Sequence, residues 1–317
     1  MHILPAPFFG TVKMKGEGTG FTFPEVEADK DPGQATGTLK STGALPDHVD
    51  YFDPLYLNWY ISHDDGASWF GPFASGNECF VTRAAPQCSP KFRTVLYLAT
   101  NGSTADSESQ CVTDTWANFS ARNVCAWDAT AKTYTRQLKY YENLHEEDPD
   151  PDPPYPLITS APQLLKHGHG QCHAWADLLK ECLRANNVAN VKRTRITPYT
   201  GYRRFAVKHI AFAAGPPYTY PDDDPWFYEE NDLTSDPGIP GQNMATPAAK
   251  LFDKHFLIHR TGDETYYDPS YGTTTSGPSA FTSDSVDAWE NYISGDYHWR
   301  QGSSAPAVSV NFADEDF

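Results

Sequence analysis

The sequence predicts an α+β protein in two parts. Residues 1–141 read as an antiparallel β-sandwich. Residues 157–317 read as a core in which a cysteine-bearing helix packs on an antiparallel sheet. Three observations lead there. The first half carries β-branched and aromatic runs with turn residues every ten positions or so. An acidic, proline-rich stretch from Glu142 through Pro156 disfavours helix and extends the chain, so it reads as a semi-rigid linker. Beyond it, apolar residues first recur at helical spacing and then fall into strand-like runs.

Length and composition fit this division. The chain has 317 residues, of which 39% are hydrophobic and 14% aromatic, enough apolar material for two cores. The formal net charge is −17, from 41 acidic and 24 basic residues. Such a surface repels phosphate backbones and anionic lipid, which argues against nucleic-acid and membrane partners. No apolar run is long enough to span a bilayer. The start, Met1-His2-Ile3-Leu4-Pro5, is not a signal peptide as it stands.

In the first half, Tyr56–Ser62, Glu78–Thr82 and Thr94–Ala99 read as strands, with a turn at Asp64–Trp69. Cys79, Cys88, Cys111 and Cys125 lie here; pairing as 79–88 and 111–125 would close short loops. Four cysteines allow three connectivities, and four buried thiols are the plain alternative. Disulfides would favour an extracellular or periplasmic protein whose export signal has been removed; otherwise the protein is cytoplasmic.

In the second half, Trp175, Leu178, Leu179, Cys182 and Leu183 repeat at three and four residues, with Asn186-Asn187 as a stop. Cys172, preceded by Gly170-Gln171, opens this helix. Unpaired first-turn N–H groups carry partial positive charge, which favours the thiolate, the nucleophilic form. Cys182 falls on the apolar stripe and reads as core. Strands are expected at Val191–Thr197, Phe205–Ala213, His255–His259 and Glu264–Asp268, with a long Pro/Asp/Gly-rich insertion at Gly215–Pro247.

A thiolate nucleophile needs a base and a group to orient that base. Thr261-Gly262-Asp263-Glu264 suits a tight hairpin, with Gly262-Asp263 as its two-residue loop. That register sets Leu257 opposite Asp268 and His255 opposite Ser270. His255 and Asp268 then share a face, diagonal neighbours roughly 7 Å apart at Cβ. His259 has the same parity and is the rival base, while His209 reads as a strand histidine. Asp268 before Pro269 also suits a plain turn cap. His167, His169, Cys172 and His173 form a local cluster that matches no familiar zinc spacing. Asp222-Asp223-Asp224 reads as a solvated loop. Neither a metal nor another cofactor is expected.

Gly170-Gln171-Cys172 opening a helix, Lys254-His255-Phe256 opening a strand, and Tyr267-Asp268-Pro269-Ser270-Tyr271-Gly272 resemble the transglutaminase-like superfamily, over roughly residues 157 to 275. The resemblance implies a papain-like core with Cys172 as nucleophile, His255 as base and acid, and Asp268 as orienter. It makes Gln163, upstream of the cysteine, the candidate second oxyanion donor. The first half is similar to accessory β-sandwiches found beside such cores in bacterial exported proteins, and calcium dependence is not carried over. The implied activity is acyl transfer through a thioester on glutamine carboxamides or peptide bonds, with a protein or peptide substrate and an amine acceptor. The alternatives are a cysteine protease or amidase, and a binding module with a degenerate site.

Overall fold

A computed structural model of the chain describes residues 11–18, 20–31, 34–140, 158–206, 240–244, 251–286, 288–291, 297–299 and 310–315. It is a sheet-rich α+β protein whose backbone divides into two compact units, 1–83 with 100–107, and 84–99 with 108–317. The linker at 142–156, His209 and Asp222–Asp224 lie outside the described residues, as does the insertion except for 240–244.

In the first unit, β1 (Val12–Gly18), β2 (Phe21–Asp31), β3 (Gln34–Thr36), β4 (Asp50–Ser62) and β5 (Phe70–Val81) form one antiparallel sheet in the order β3-β2-β1-β4-β5. Val12, Phe21, Ala28 and Leu57, which the pairings bring to one face, are buried. The β4–β5 turn is held by Asp64, whose Oδ1 accepts the Ser68 N–H at 2.8 Å. The described residues thus supply a single sheet where a two-sheet sandwich was expected.

The reason lies in residues 84–140, which the sequence reading gave to the sandwich and whose described contacts place almost all of them in the second unit. Thr94–Ala99 is not a strand: it belongs to helix α1 (Arg93–Thr100), burying Val95, Leu98 and Ala99. Their spacing of three and four is helical, and tertiary burial overrides the strand preference of the β-branched and aromatic residues. Helix α2 (Glu108–Ser120) likewise buries Cys111, Val112, Thr115 and Phe119. A hairpin, β6 (Cys125–Asp128) and β7 (Thr133–Gln137), follows, and then the short strand β8 (Lys139–Tyr140).

The rest of the second unit begins with α3 (Ala161–His167), β9 (His169–Gly170) and α4 (Cys172–Ala185). Strands β10 (Val191–Thr197), β11 (Tyr202–Ala206), β12 (Leu251–Phe252), β13 (His255–Arg260), β14 (Thr265–Asp268) and β15 (Thr273–Thr275) come next. Helix α5 (Pro278–Ser285), β16 (Ala288–Asn291), β17 (Tyr297–Trp299) and β18 (Asn311–Glu315) complete it. The main sheet runs β15-β14-β13-β10-β18, antiparallel throughout, and a second runs β12-β11-β16-β17. Strands β8 and β9 pair in parallel, Tyr140 beside Gly170.

Helix α4 is the unit's spine. Trp175, Leu178, Leu179, Cys182 and Leu183 are at most 1% exposed. Each such side chain contributes on the order of 1.5–3 kcal/mol of transfer free energy. The helix ends at Asn186, whose Nδ2 donates to the Ala99 carbonyl at 2.8 Å, and Asn187 turns the chain through a left-handed conformation. Its seat on the sheet is set by stacking of His173 on Phe256, centroids 4.4 Å apart. A partly buried ion network adds to this: Arg193 of β10 donates to Asp177 of α4 at 3.2 Å and to Glu315 of β18 at 2.7 Å.

Residues 240–244 are not an exposed loop. Gly241 and Gln242 are buried, and the Asn243 Nδ2 donates to the Val124 and Leu138 carbonyls at 2.7 and 2.8 Å. A Cβ at Gly241 would stand 2.2 Å from the Tyr140 ring. Gly241→Ala is therefore expected to destabilise the second unit by about 1–3 kcal/mol through overpacking. Urea unfolding checks this, and an unchanged midpoint would show that Tyr140 yields freely.

Candidate active site

Cys172 is the first residue of α4, with Gln171 as its extended N-cap. The N–H groups of Ala174 and Trp175 bond the Gln171 carbonyl at 2.9 and 3.2 Å, closing the first turn just past the thiol. Gly170 lets the chain approach this closely. A Cβ there would meet Ile158, Ala174 and Leu164 at 3.0, 3.1 and 3.3 Å. The cysteine is nearly buried, at 7% exposure, and its thiol lies at the positive end of the helix.

The hairpin has the register expected from parity: Ile258, His259 and Arg260 pair with Tyr267, Tyr266 and Thr265. The connection is wider than the two residues expected, since Thr261 to Glu264 all lie beyond the last pair and Glu264 takes the left-handed conformation. His255 and Asp268 meet as the shared face requires. The His255 Nε2 and Asp268 Oδ2 are 2.7 Å apart, with both residues buried.

Asp268 is also a turn cap. Its Oδ1 accepts the N–H groups of Ser270 and Tyr271 at 3.0 and 3.3 Å, and the Gly272 N–H bonds its main-chain carbonyl at 2.8 Å. The carboxylate thus caps the turn through Oδ1 and bonds the imidazole through Oδ2.

Burial works against positive charge on the His255 ring, but the Asp268 carboxylate and then the Cys172 sulfur outweigh it. They hold the imidazole pKa up at about 10. Both act through charge, and Asp268 also through its hydrogen bond to the ring. The Asp268 bond uses Nε2, which leaves Nδ1 for the sulfur side, although Nδ1 has no well-aligned hydrogen bond among the described residues. This is the reverse of serine triads, where Nδ1 faces the carboxylate.

Two tyrosines complete the cluster. Tyr140 and Tyr271 are fully buried with their rings edge to face at 5.2 Å. Burial pushes both phenols well up, with further contributions from Asp268 and Cys172, so their hydroxyls stay protonated and can donate. The two hydroxyls hydrogen-bond each other. Tyr271 lay within the motif already singled out. Tyr140 carried no local signal, because its place beside the cysteine depends on the parallel pairing of β8 with β9.

Other candidates separate from this cluster. Gln163 is exposed, and its carboxamide oxygen accepts the Thr159 N–H at 3.1 Å and the Ser160 hydroxyl at 3.2 Å. That carboxamide oxygen is engaged at the start of α3, whose N-cap residue is Ser160. His259 is tied to Asp314 through Nδ1 at 2.9 Å and stacks on Tyr266 at 4.1 Å. Burial, with Cys88 and Glu181 nearby, pushes the Cys182 thiol well up, as befits a core cysteine. All six cysteines are free thiols, so neither expected short-loop pairing is present.

Among the described residues no group of three or more His, Cys, Asp or Glu side chains could hold a metal ion. No helix among them is long and apolar enough to cross a membrane. Comparison of the chain with family models, curated proteins and solved structures finds no match.

The raised His255 pKa makes stability depend on pH. The ring binds its proton more tightly folded than unfolded, so its contribution is fully present below about pH 6.5 and is lost as pH rises towards 10. The gap in unfolding free energy between wild type and His255→Gln should accordingly shrink from pH 7 to pH 10. A gap that stays constant over that range would contradict the charged ring.

Proposed function

We propose that this protein is a transglutaminase-like cysteine acyltransferase acting on carboxamide or peptide carbonyls. One observation carries the reading: a buried imidazole is bonded to a carboxylate on one side, and its pKa is raised by the sulfur of a cysteine at a helix N-terminus. Three residue types distant in sequence rarely converge this way for packing alone, since an unpaired buried charge is costly.

The chemistry follows from the groups. The Cys172 sulfur attacks the carbonyl carbon as thiolate and the carbonyl π pair moves onto oxygen. The resulting oxyanion takes hydrogen bonds from first-turn N–H groups at Cys172 and from the Tyr140–Tyr271 hydroxyl pair. The imidazolium gives its proton to the departing nitrogen as the tetrahedral centre collapses to a thioester, releasing ammonia or an amine. An incoming amine or water then attacks the thioester. His255 takes up the proton of that nucleophile, and Cys172 leaves as thiolate. Asp268 keeps the ring oriented and stabilises its charge throughout.

An amine gives transfer and water gives hydrolysis. The assay that tests the reading offers a glutamine-donor protein and a labelled primary amine, following incorporation and ammonia release separately. Incorporation is expected, abolished in Cys172→Ala and reduced about 100- to 10,000-fold in kcat in Asp268→Asn. Product release without incorporation assigns a protease or amidase instead. A Cys172→Ala variant indistinguishable from wild type would remove the enzyme reading and leave a binding module.

A further inference from the structure

Gln242 touches both halves of the site without touching the cysteine. It is fully buried, and its Nε2 donates to the carbonyls of Pro269 at 2.8 Å and Phe119 at 2.7 Å. Its main-chain N–H donates to the Ser270 carbonyl at 2.9 Å, and its own carbonyl accepts the Tyr140 N–H at 3.0 Å. The orientation of the carboxamide is unambiguous, because reversing it would set an oxygen against two carbonyl oxygens.

We propose that Gln242 is a positioning residue for the triad, holding the Asp268 turn and the Tyr140 strand in place relative to each other. The argument is geometric. A peptide unit is planar, so fixing its carbonyl fixes the direction of the N–H at its other end. The Pro269 carbonyl and the Ser270 N–H belong to one peptide unit, and the Ser270 carbonyl and the Tyr271 N–H belong to the next. Gln242 holds the carbonyl end of both units, and Asp268 Oδ1 accepts from the N–H end of both. Hydrogen bonds in series through one peptide also polarise each other, strengthening the grip on the carboxylate. With Oδ1 held, Oδ2 is aimed at His255. The fourth bond, from Tyr140, ties the hydroxyl side of the site to the same residue.

This role rests on the proposed function, so the test reads the two separately. The titratable groups around the His255 ring are Asp268 from the end of β14, Cys172 from α4, and the Tyr140–Tyr271 pair. Nitrogen-15 NMR of the histidine rings in the full chain follows its titration in wild type, Gln242→Met and Gln242→Asn. Gln242→Met keeps the length and removes both side-chain donors; Gln242→Asn keeps the donors on a shorter reach.

Wild type is expected to titrate near pH 10. Gln242→Met should fall by about one pH unit or more, as expected when a charge-assisted bond loosens. Gln242→Asn should lie between. A cooperatively folded Gln242→Met with the wild-type titration overturns the proposal. So does loss of cooperative unfolding in both variants, since Gln242 then supports the whole unit rather than the turn. A wild-type ring titrating near 6.5 sinks the charged-site reading itself, and this role with it.

Discussion

The His255–Asp268 bond is the contact on which the rest of the site depends. At 2.7 Å, and with both partners buried, it is a charge-assisted hydrogen bond away from water. Its absence would leave two buried ionisable groups uncompensated, at a cost of several kcal/mol by the usual reckoning. Together with the charge of the Cys172 sulfur, it keeps a proton on the imidazole well above neutral pH. The hairpin supplies the register, the Asp-Pro-Ser-Tyr-Gly turn supplies the carboxylate geometry, and α4 supplies the sulfur. Each element is held by something else: α4 by the Arg193 ion network and the His173–Phe256 stack, the turn by Gln242.

Helix α4 shows how strongly position governs cysteine chemistry. Cys172 and Cys182 lie on the same helix, ten positions apart. Cys182 faces the core, where burial holds it as a neutral thiol. Cys172 sits at the end, where first-turn N–H groups and an imidazolium converge. The propensities of the helix do not distinguish the two. What distinguishes them is that only the helix terminus leaves backbone donors without intrahelical partners.

Local, periodic features were legible in the sequence. The α4 stripe, the start of the helix at Cys172 and the parity that brings His255 to Asp268 all follow from spacings of 3.6 and 2. What depended on tertiary context was not legible. Thr94–Ala99 has strand-like composition but buries one helical face. Gln163 was a plausible donor by its place in the chain, yet its carboxamide oxygen is engaged by Thr159 and Ser160 at the start of α3. Tyr140 and Gln242 reach the site through a parallel strand pair and a buried segment inside a Pro/Gly-rich stretch, neither of which leaves a periodic trace.

The central claim is that the protein holds Cys172 as a nucleophile with its partner charge in place. Competitive alkylation by iodoacetamide, with peptide-level mass spectrometry at Cys172 and Cys182 between pH 5 and 9, tests it most directly. The account predicts that Cys172 is labelled readily near pH 6, at least about 100-fold faster than Cys182, and that His255→Ala sharply slows labelling of Cys172 at that pH. Equal and slow labelling of both thiols across the range would contradict it.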